Sequence, residues 1–377
     1  MFPITYLTTI RFAPGALAGL ADDLAALGVS RPLIVSDAGL LATDLVDRLR
    51  AALPAGLDAP LYGETPTNPT EAAVAEALAL YRAERCDGLV ALGGGSPIDL
   101  AKAVALLATH EGPLARYAAI LGGVPLITPA VAPVIAVPTT AGTGSEVGRA
   151  ALITLADGRK LGFVSPHLIP ERAVCDPDLT LGLPPGLTAA TGMDAVTHCL
   201  ETYLSPRFNP PAEAIALDGL VRALAYLPRA VADGADREAR SEMMMAALEG
   251  GLTFQKGLGA VHALSHPLGG LPDVSLHHGT LNAVLLPHVL AFNDGHVGAK
   301  YDVIRERLSL APGTDLAAYF RDFTAALGLP TTLSAMGLPD RHLPAVAEAA
   351  TKDHSAATNP REASAADYRA MLEAAYG

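Results

Sequence analysis

Asp194 and His198, four residues apart in Gly192-Met193-Asp194-Ala195-Val196-Thr197-His198, share one face of any helix that contains them. His262 and His266 repeat that spacing and His277 and His278 follow as a pair, so five of eleven histidines fall in three tight groups. A single histidine is ordinarily a satisfied core or surface residue. An aspartate with several neutral imidazoles suits Fe(II) or Zn(II), and a coordination position left open would make such a centre catalytic. Ligand type alone leaves the choice between the two metals open.

Two glycine-rich segments could cradle phosphate. Ala91 to Lys102 (ALGGGSPIDLAK) closes a strand-like run and opens a helix-like one, with Pro97 near the first turn, where a missing N–H costs nothing. Its glycines let backbone amides approach a pyrophosphate, and a helix N-terminus adds partial positive charge there. An ordinary strand-to-helix turn needs glycine too, so the segment carries weight only in company. The second, Pro138 to Val147 (PTTAGTGSEV), offers hydroxyls beside flexible backbone. Asp37 ends an earlier apolar run, where a carboxylate can accept hydrogen bonds from an adenosine ribose and repel the extra phosphate of NADP. Capping a helix is compatible with that role.

The elements that must hold these groups divide the chain. Up to about residue 180, short β-branched runs alternate with alanine-rich segments, the pattern of a parallel sheet covered by helices. Candidate strands are Pro32 to Ser36, Gly88 to Leu92 and Val134 to Val137, and ligands in such sheets sit beyond the carboxyl ends. Ala151 to Leu155 and Leu161 to Val164 flank an Asp157-Gly158 turn and read as a hairpin. From Thr188 onward strand patterns give way to helices, with Pro184 and Pro185 marking the change. The expectation is an α/β dinucleotide-binding domain over residues 1–183 and an all-α metal-binding domain over 184–377.

Composition narrows the class. Half of the 377 residues are hydrophobic, which favours large buried surfaces and subunit contact over disorder. A net charge of −13 has the wrong sign for a nucleic-acid partner. Cys86, Cys175 and Cys199 are scattered and form no CxxC pair, which fits a reducing cytoplasm. The opening MFPITYLTTIRF lacks the pattern of a cleavable leader, and Ala118 to Val137, though apolar, is broken by Pro125, Pro129 and Pro133, so loop plus buried strand is expected there rather than a membrane span.

Taken together, GGGSPIDLAK (93–102), PTTAGTGSEV (138–147), CDPDLT (175–180), GMDAVTHCLE (192–201), HALSHPLGG (262–270) and HHGTLNAVLLPHV (277–289) resemble the iron-containing (group III) alcohol dehydrogenase family, within the superfamily that also holds dehydroquinate synthase. The resemblance implies a metal held by Asp194, His198, His262 and His278, with His266 a nearby histidine that relays a proton. His278 is preferred over His277 because it precedes Gly279 and lies four residues before Asn282; a bulge in the stretch after Gly270, longer here than in typical members, would exchange them. It further implies nucleotide contacts at Asp37, Gly94, Gly95, Ser96, Asp99, Thr139, Thr140, Thr143, Lys160 and Leu179, with Asn68 approaching the nicotinamide and Asp37 tilting the cofactor to NAD.

The activity so implied is hydride transfer between NAD(H) and a small alcohol or aldehyde, with the metal, Fe(II) or alternatively Zn(II), as Lewis acid on the substrate oxygen. Arg149, just past the second loop where such enzymes place substrate-facing residues, could bind an acidic group; an exposed hairpin arginine is the plainer account. Glu201 either orients His198 or makes a surface ion pair. A homo-oligomer, a dimer or larger, is expected. Two relatives are rivals: a dehydroquinate-synthase-like lyase, which would need basic residues absent from Thr188 to Leu204 apart from His198, and a metal-free maleylacetate-reductase-like enzyme, against which all four ligand positions are filled.

Overall fold

Pro32–Val35, Gly88–Gly93 and Val134–Pro138 are apolar along their whole length and buried on both faces, as strands inside a helix-covered parallel sheet must be. In the computed structural model, which describes residues 4, 6 and 8–377, these are β2, β4 and β5. The expected absence of a leader falls partly on residues outside that range. The remaining strands of the sheet are β1 (Thr9–Phe12), β3 (Leu61–Tyr62) and β8 (Arg172–Cys175), giving an all-parallel order β1-β8-β5-β4-β2-β3. The chain runs outward from β2 to β3 and then crosses back to β4, so the direction of winding reverses between β2 and β4. That switch point is where a crevice opens at the carboxyl ends of the strands.

Helices α1 (Leu20–Leu27), α2 (Ala38–Leu41), α3 (Leu45–Ala51), α4 (Glu71–Ala83) and α5 (Gly95–Thr109) cover the sheet. Two apolar cores result, one containing Leu33, Leu89, Leu100 and Val104, the other Ile34, Val90, Ile135 and Val137. Alternation along β4 accounts for the division: Leu89 and Ala91 serve the first, Val90 and Leu92 the second. Strands β6 (Ala150–Thr154) and β7 (Lys160–Val164) form the expected hairpin, with Gly158 at φ +83° in its turn. Residues 118–128 are short 3-10 turns and loop leading into β5, as the prolines require.

Residues 183–377 hold helices throughout: α6 (Pro185–Leu204), α7 (Pro210–Ala232), α8 (Arg237–Leu252), α9 (Ala260–Gly269), α10 (His278–Asn293), α11 (Lys300–Arg307), α12 (Leu316–Ala326), α13 (Leu343–Ala350) and α14 (Ala365–Tyr376). By contact the described residues separate into two units, one of residues 6, 8–140 and 144–182, the other of 183–377 together with 4 and 141–143. The second unit therefore also takes the tip of the second glycine-rich segment. Its centre is α6, buried on every side from Gly192 to Leu204, as a helix enclosed by helices must be. Its C-terminal carbonyls at Tyr203 and Ser205 accept from the ammonium groups of Lys256 and Lys300, cations placed where the helix dipole is negative. No described helix is long and apolar enough to cross a membrane.

Candidate functional site

Asp194 and His198 stand on α6, His262 and His266 on α9, and His278 in the first turn of α10. Close helix approach brings them together: Gly279 is so near α6 that a Cβ there would lie 2.1 Å from the Ala190 carbonyl oxygen. The Nε2 atoms of His198, His262 and His278 lie 3.5, 3.8 and 3.6 Å from Asp194 Oδ1. Tetrahedral ligands around an ion with bonds of about 2.0–2.2 Å stand roughly 3.3–3.6 Å apart. The three distances are close to that range, and ligand atoms of Asp194, His262 and His278 also lie within 4.8 Å of one another, with His198 joining them through Asp194. His277 is set apart, at the N-cap position of α10 with Nδ1 3.4 Å from Thr280 Oγ1.

The electrostatics also suit a cation. Burial outweighs the attraction of Asp194 and brings the His198 pKa down to about 4, leaving a neutral ring with a lone pair at pH 7. For His262, burial is overcome by Glu201, whose Oε2 lies 2.6 Å from Nδ1, and the pKa stands above its ordinary value. A carboxylate on Nδ1 directs Nε2 toward Asp194 and is the usual outer partner of a ligand imidazole. Asn282, one turn after His278, donates from Nδ2 to Asp194 Oδ1 at 2.7 Å, while its Oδ1 is buried without a partner. An orphaned oxygen at the rim of the cluster is a group that a bound cation and its water would satisfy.

Sequence reasoning left Glu201 between two roles, and neither is the one observed. It is buried, it pairs with His262 rather than His198, and its Oε1 accepts from the Val261 N–H at 2.6 Å, so one carboxylate caps α9 and orients a ligand on it. Asp353, not singled out from sequence, accepts from or shares a proton with His266 Nδ1 at 2.9 Å. Burial opposes the charge on Asp353, but His266 and His354 hold its pKa well below the carboxylate range. The spacing of Glu201, three residues past His198, was a legible hint of a shared face; Asp353 lies 87 residues from its partner and had none.

In the first unit Asp37, Gly94, Gly95, Ser96, Thr139 and Thr140, six of the predicted nucleotide contacts, lie at the carboxyl ends of β2, β4 and β5. Gly93 has φ +151° and Gly94 caps α5. The Thr139 N–H donates to the Gly93 carbonyl at 3.0 Å, and a Cβ on Gly94 would lie 3.3 Å from Thr140 Oγ1. Gly95 and Ser96 begin α5, where Ser96 Oγ donates to the Thr67 carbonyl. Beside them Lys160 Nζ donates to Asn68 Oδ1 at 2.9 Å. Asp37 caps α2, accepting from the Leu40 N–H at 3.0 Å. Thr143 is half-buried at the segment tip that packs with the helical unit, where a Cβ on neighbouring Gly142 would meet the Thr191 carbonyl at 2.7 Å.

Two more of the expected contacts are buried. Leu179 is buried in the core with Leu17 and Val174. Asp99 is buried, its Oδ1 accepting from Ser145 Oγ at 2.5 Å and its Oδ2 from the Leu152 N–H at 3.0 Å, so it braces the second loop and the hairpin from beneath. Lys102, which sequence reasoning passed over, completes the brace by donating to Ser145 Oγ, the Gly148 carbonyl and the Ala150 carbonyl at 2.8–2.9 Å. Its i,i+3 spacing from Asp99 on α5 was the available signal. Arg149, between that brace and β6, is half-buried rather than an exposed hairpin residue.

Comparison with known proteins follows the same division. Residues 8–177 match the family model described as iron-containing alcohol dehydrogenase, and residues 188–376 match that of the C-terminal region of the Fe-containing alcohol dehydrogenase family. The chain is 55% identical to a 4-hydroxybutyrate dehydrogenase of Cupriavidus necator over 98% of each, and 36% identical to a 1,3-propanediol dehydrogenase of Klebsiella pneumoniae over 97% of this chain and 96% of that one. Among solved structures, a 1,3-propanediol oxidoreductase superposes with TM-score 0.93 at 36% identity over 100% of both chains. Sulfoacetaldehyde reductase of Bifidobacterium kashiwanohense, in complex with NAD+, does so at 0.89 and 26% identity over 100% of this chain and 98% of that one.

Proposed function

The chain belongs to the iron-containing alcohol dehydrogenase family, and from that membership and its own geometry we propose that it interconverts a small alcohol bearing an acidic group and the matching aldehyde, passing hydride to and from NAD. The observation that carries the reading is the convergence of three imidazole Nε2 atoms on one oxygen of Asp194. Asp194, His198, His262 and His278 would hold Fe(II), which when bound acts as a Lewis acid that polarises the substrate oxygen.

The remaining work falls to protein groups. Glu201 fixes His262, and Asn282 fixes Asp194. With Nδ1 engaged by Asp353, His266 has Nε2 left to take the hydroxyl proton as hydride departs, so the alcohol yields aldehyde, NADH and one proton. The glycine turn after β4 and the Lys102–Asp99 brace shape the loops that would receive the pyrophosphate, and Asp37 favours NAD over NADP. Residues 1–183 then serve as the nucleotide domain and 184–377 as the metal domain. Three buried, unpaired cysteines are in keeping with a reducing cytoplasm.

The acidic group is supported by the 4-hydroxybutyrate and sulfoacetaldehyde activities named for two relatives and by Arg149, whose guanidinium would pair with a carboxylate. The iron-reconstituted protein is expected to oxidise NADH with 4-oxobutanoate at a kcat/KM at least about tenfold above that with butanal, a preference that Arg149→Ala abolishes, since a charged hydrogen bond contributes about 1.5–3 kcal/mol. Equal rates with both aldehydes would sink the acidic-substrate reading; turnover undiminished by removal of metal would sink the metal-dependent one.

A further inference from the structure

Beside the metal centre lies a second set of ligand-type atoms. One imidazole nitrogen each of His266 and His354 and one carboxylate oxygen of Asp353 all lie within 4.8 Å of one another. Asp353 Oδ2 is 2.9 Å from His266 Nδ1, and its Oδ1 is 3.6 Å from His354 Nδ1, so the carboxylate faces both rings with one oxygen toward each. Neighbouring contacts fix the positions of these side chains. The His266 ring is buried in α9 and stacks on His354 at 5.6 Å with an interplanar angle of 16°, and Asp353 Oδ1 accepts from the Ser355 N–H at 2.8 Å. His354 is 45% exposed, which gives a cation a route from solvent.

We propose that His266, Asp353 and His354 form a second, inhibitory site for a divalent transition ion, distinct from the Asp194 centre. Two imidazoles and one carboxylate select Zn(II) and similar borderline ions over the oxygen-seeking Mg(II) and Ca(II), and three protein donors leave a position for water. Two dications in this neighbourhood are sustained by three carboxylates, Asp194, Glu201 and Asp353. An ion on His266 Nδ1 takes the place of the proton shared with Asp353, which passes to Nε2 or to solvent. A neutral ring then carries its proton on Nε2, or an ion-bound ring is less basic there, and either way the imidazole that would receive the substrate proton is blunted. Binding itself does not depend on that assignment; the inhibition rests on the role given to His266 above.

The test is zinc binding by equilibrium dialysis on the zinc-loaded holoenzyme, alongside steady-state kinetics. Wild type is expected to take a second equivalent per chain and to lose turnover as that equivalent binds. His354→Ala, a change at a partly exposed side chain outside the catalytic set, is expected to keep the first equivalent and to need at least about tenfold more zinc for the second and for inhibition, the lower bound seen when even an outer-shell partner is removed. A second equivalent retained unchanged in both His354→Ala and Asp353→Asn, or a stoichiometry of one, overturns the site. A second equivalent that is lost in His354→Ala but never slows turnover leaves the site standing and removes the role assigned to His266.

Discussion

A carboxylate that serves two masters is the most informative single residue. Glu201 caps the first turn of α9 through Val261 N–H and holds His262 Nδ1. Glu201→Gln keeps the size and the cap acceptor but removes the charge, so the expected result is a folded protein whose iron affinity, read by chelator competition, falls about 10–100-fold. An unchanged affinity would reduce Glu201 to a helix cap. Glu146 supplies the pH signature: it is buried, and burial pushes its pKa from 4.5 up to about 7. A carboxyl whose pKa is raised on folding stabilises most when protonated, so its contribution is complete below about pH 4.5 and is lost as pH rises through 7. Melting temperatures of wild type and Glu146→Gln should coincide near pH 4.5, diverge in favour of the variant by pH 7, and diverge no further above it; parallel curves would contradict the burial argument.

Among the elements, α6, α9 and α10 do the positioning, and their closeness depends on glycine. At Gly279 an added Cβ would meet the Ala190 carbonyl oxygen at 2.1 Å, so Gly279→Ala must push α10 away from α6. The expected cost is about 1–3 kcal/mol of stability together with weaker metal binding, because His278 is the adjacent residue. A crystal structure of the variant with an undisplaced α10 would refute it. The sequence made these helices legible through the four-residue spacing of Asp194 and His198 and of His262 and His266, a local periodicity. Strands β2, β4 and β5 were equally plain as continuous apolar runs. By contrast β3 has only two residues, and β1 (TIRF) and β8 (RAVC) break their four-residue runs with arginine, so none shows a continuous apolar run, and they exist because the sheet supplies neighbours. The same holds for side chains: Asp353 at His266 and Glu201 at His262 meet only through tertiary packing, and Asp99, expected as a nucleotide contact, gave no sign of the buried brace that it forms with Ser145 and Leu152.

At the scale of the molecule, each unit carries its own apolar core, one gathered around α6 and the others on the two faces of the sheet. All four metal-binding candidates belong to the helical unit, and His198 and His262 are 64 residues apart in the chain. An ion joining them is therefore a crosslink. Closing a loop of that length in the unfolded chain is worth about 4 kcal/mol by analogy with a disulfide, equivalent to roughly 8–16 °C in melting temperature for a unit of this size. Calorimetry of chelated and iron-loaded protein should show that shift in the transition of the helical unit, and a shift under about 2 °C would mean that the ion closes no loop in the unfolding reaction. The crosslink has a further bearing on the protein's lifetime. Chains that fail to acquire iron would open more often and be cut sooner by proteases, so a cell's iron supply would govern how many copies persist as well as how fast each one turns over.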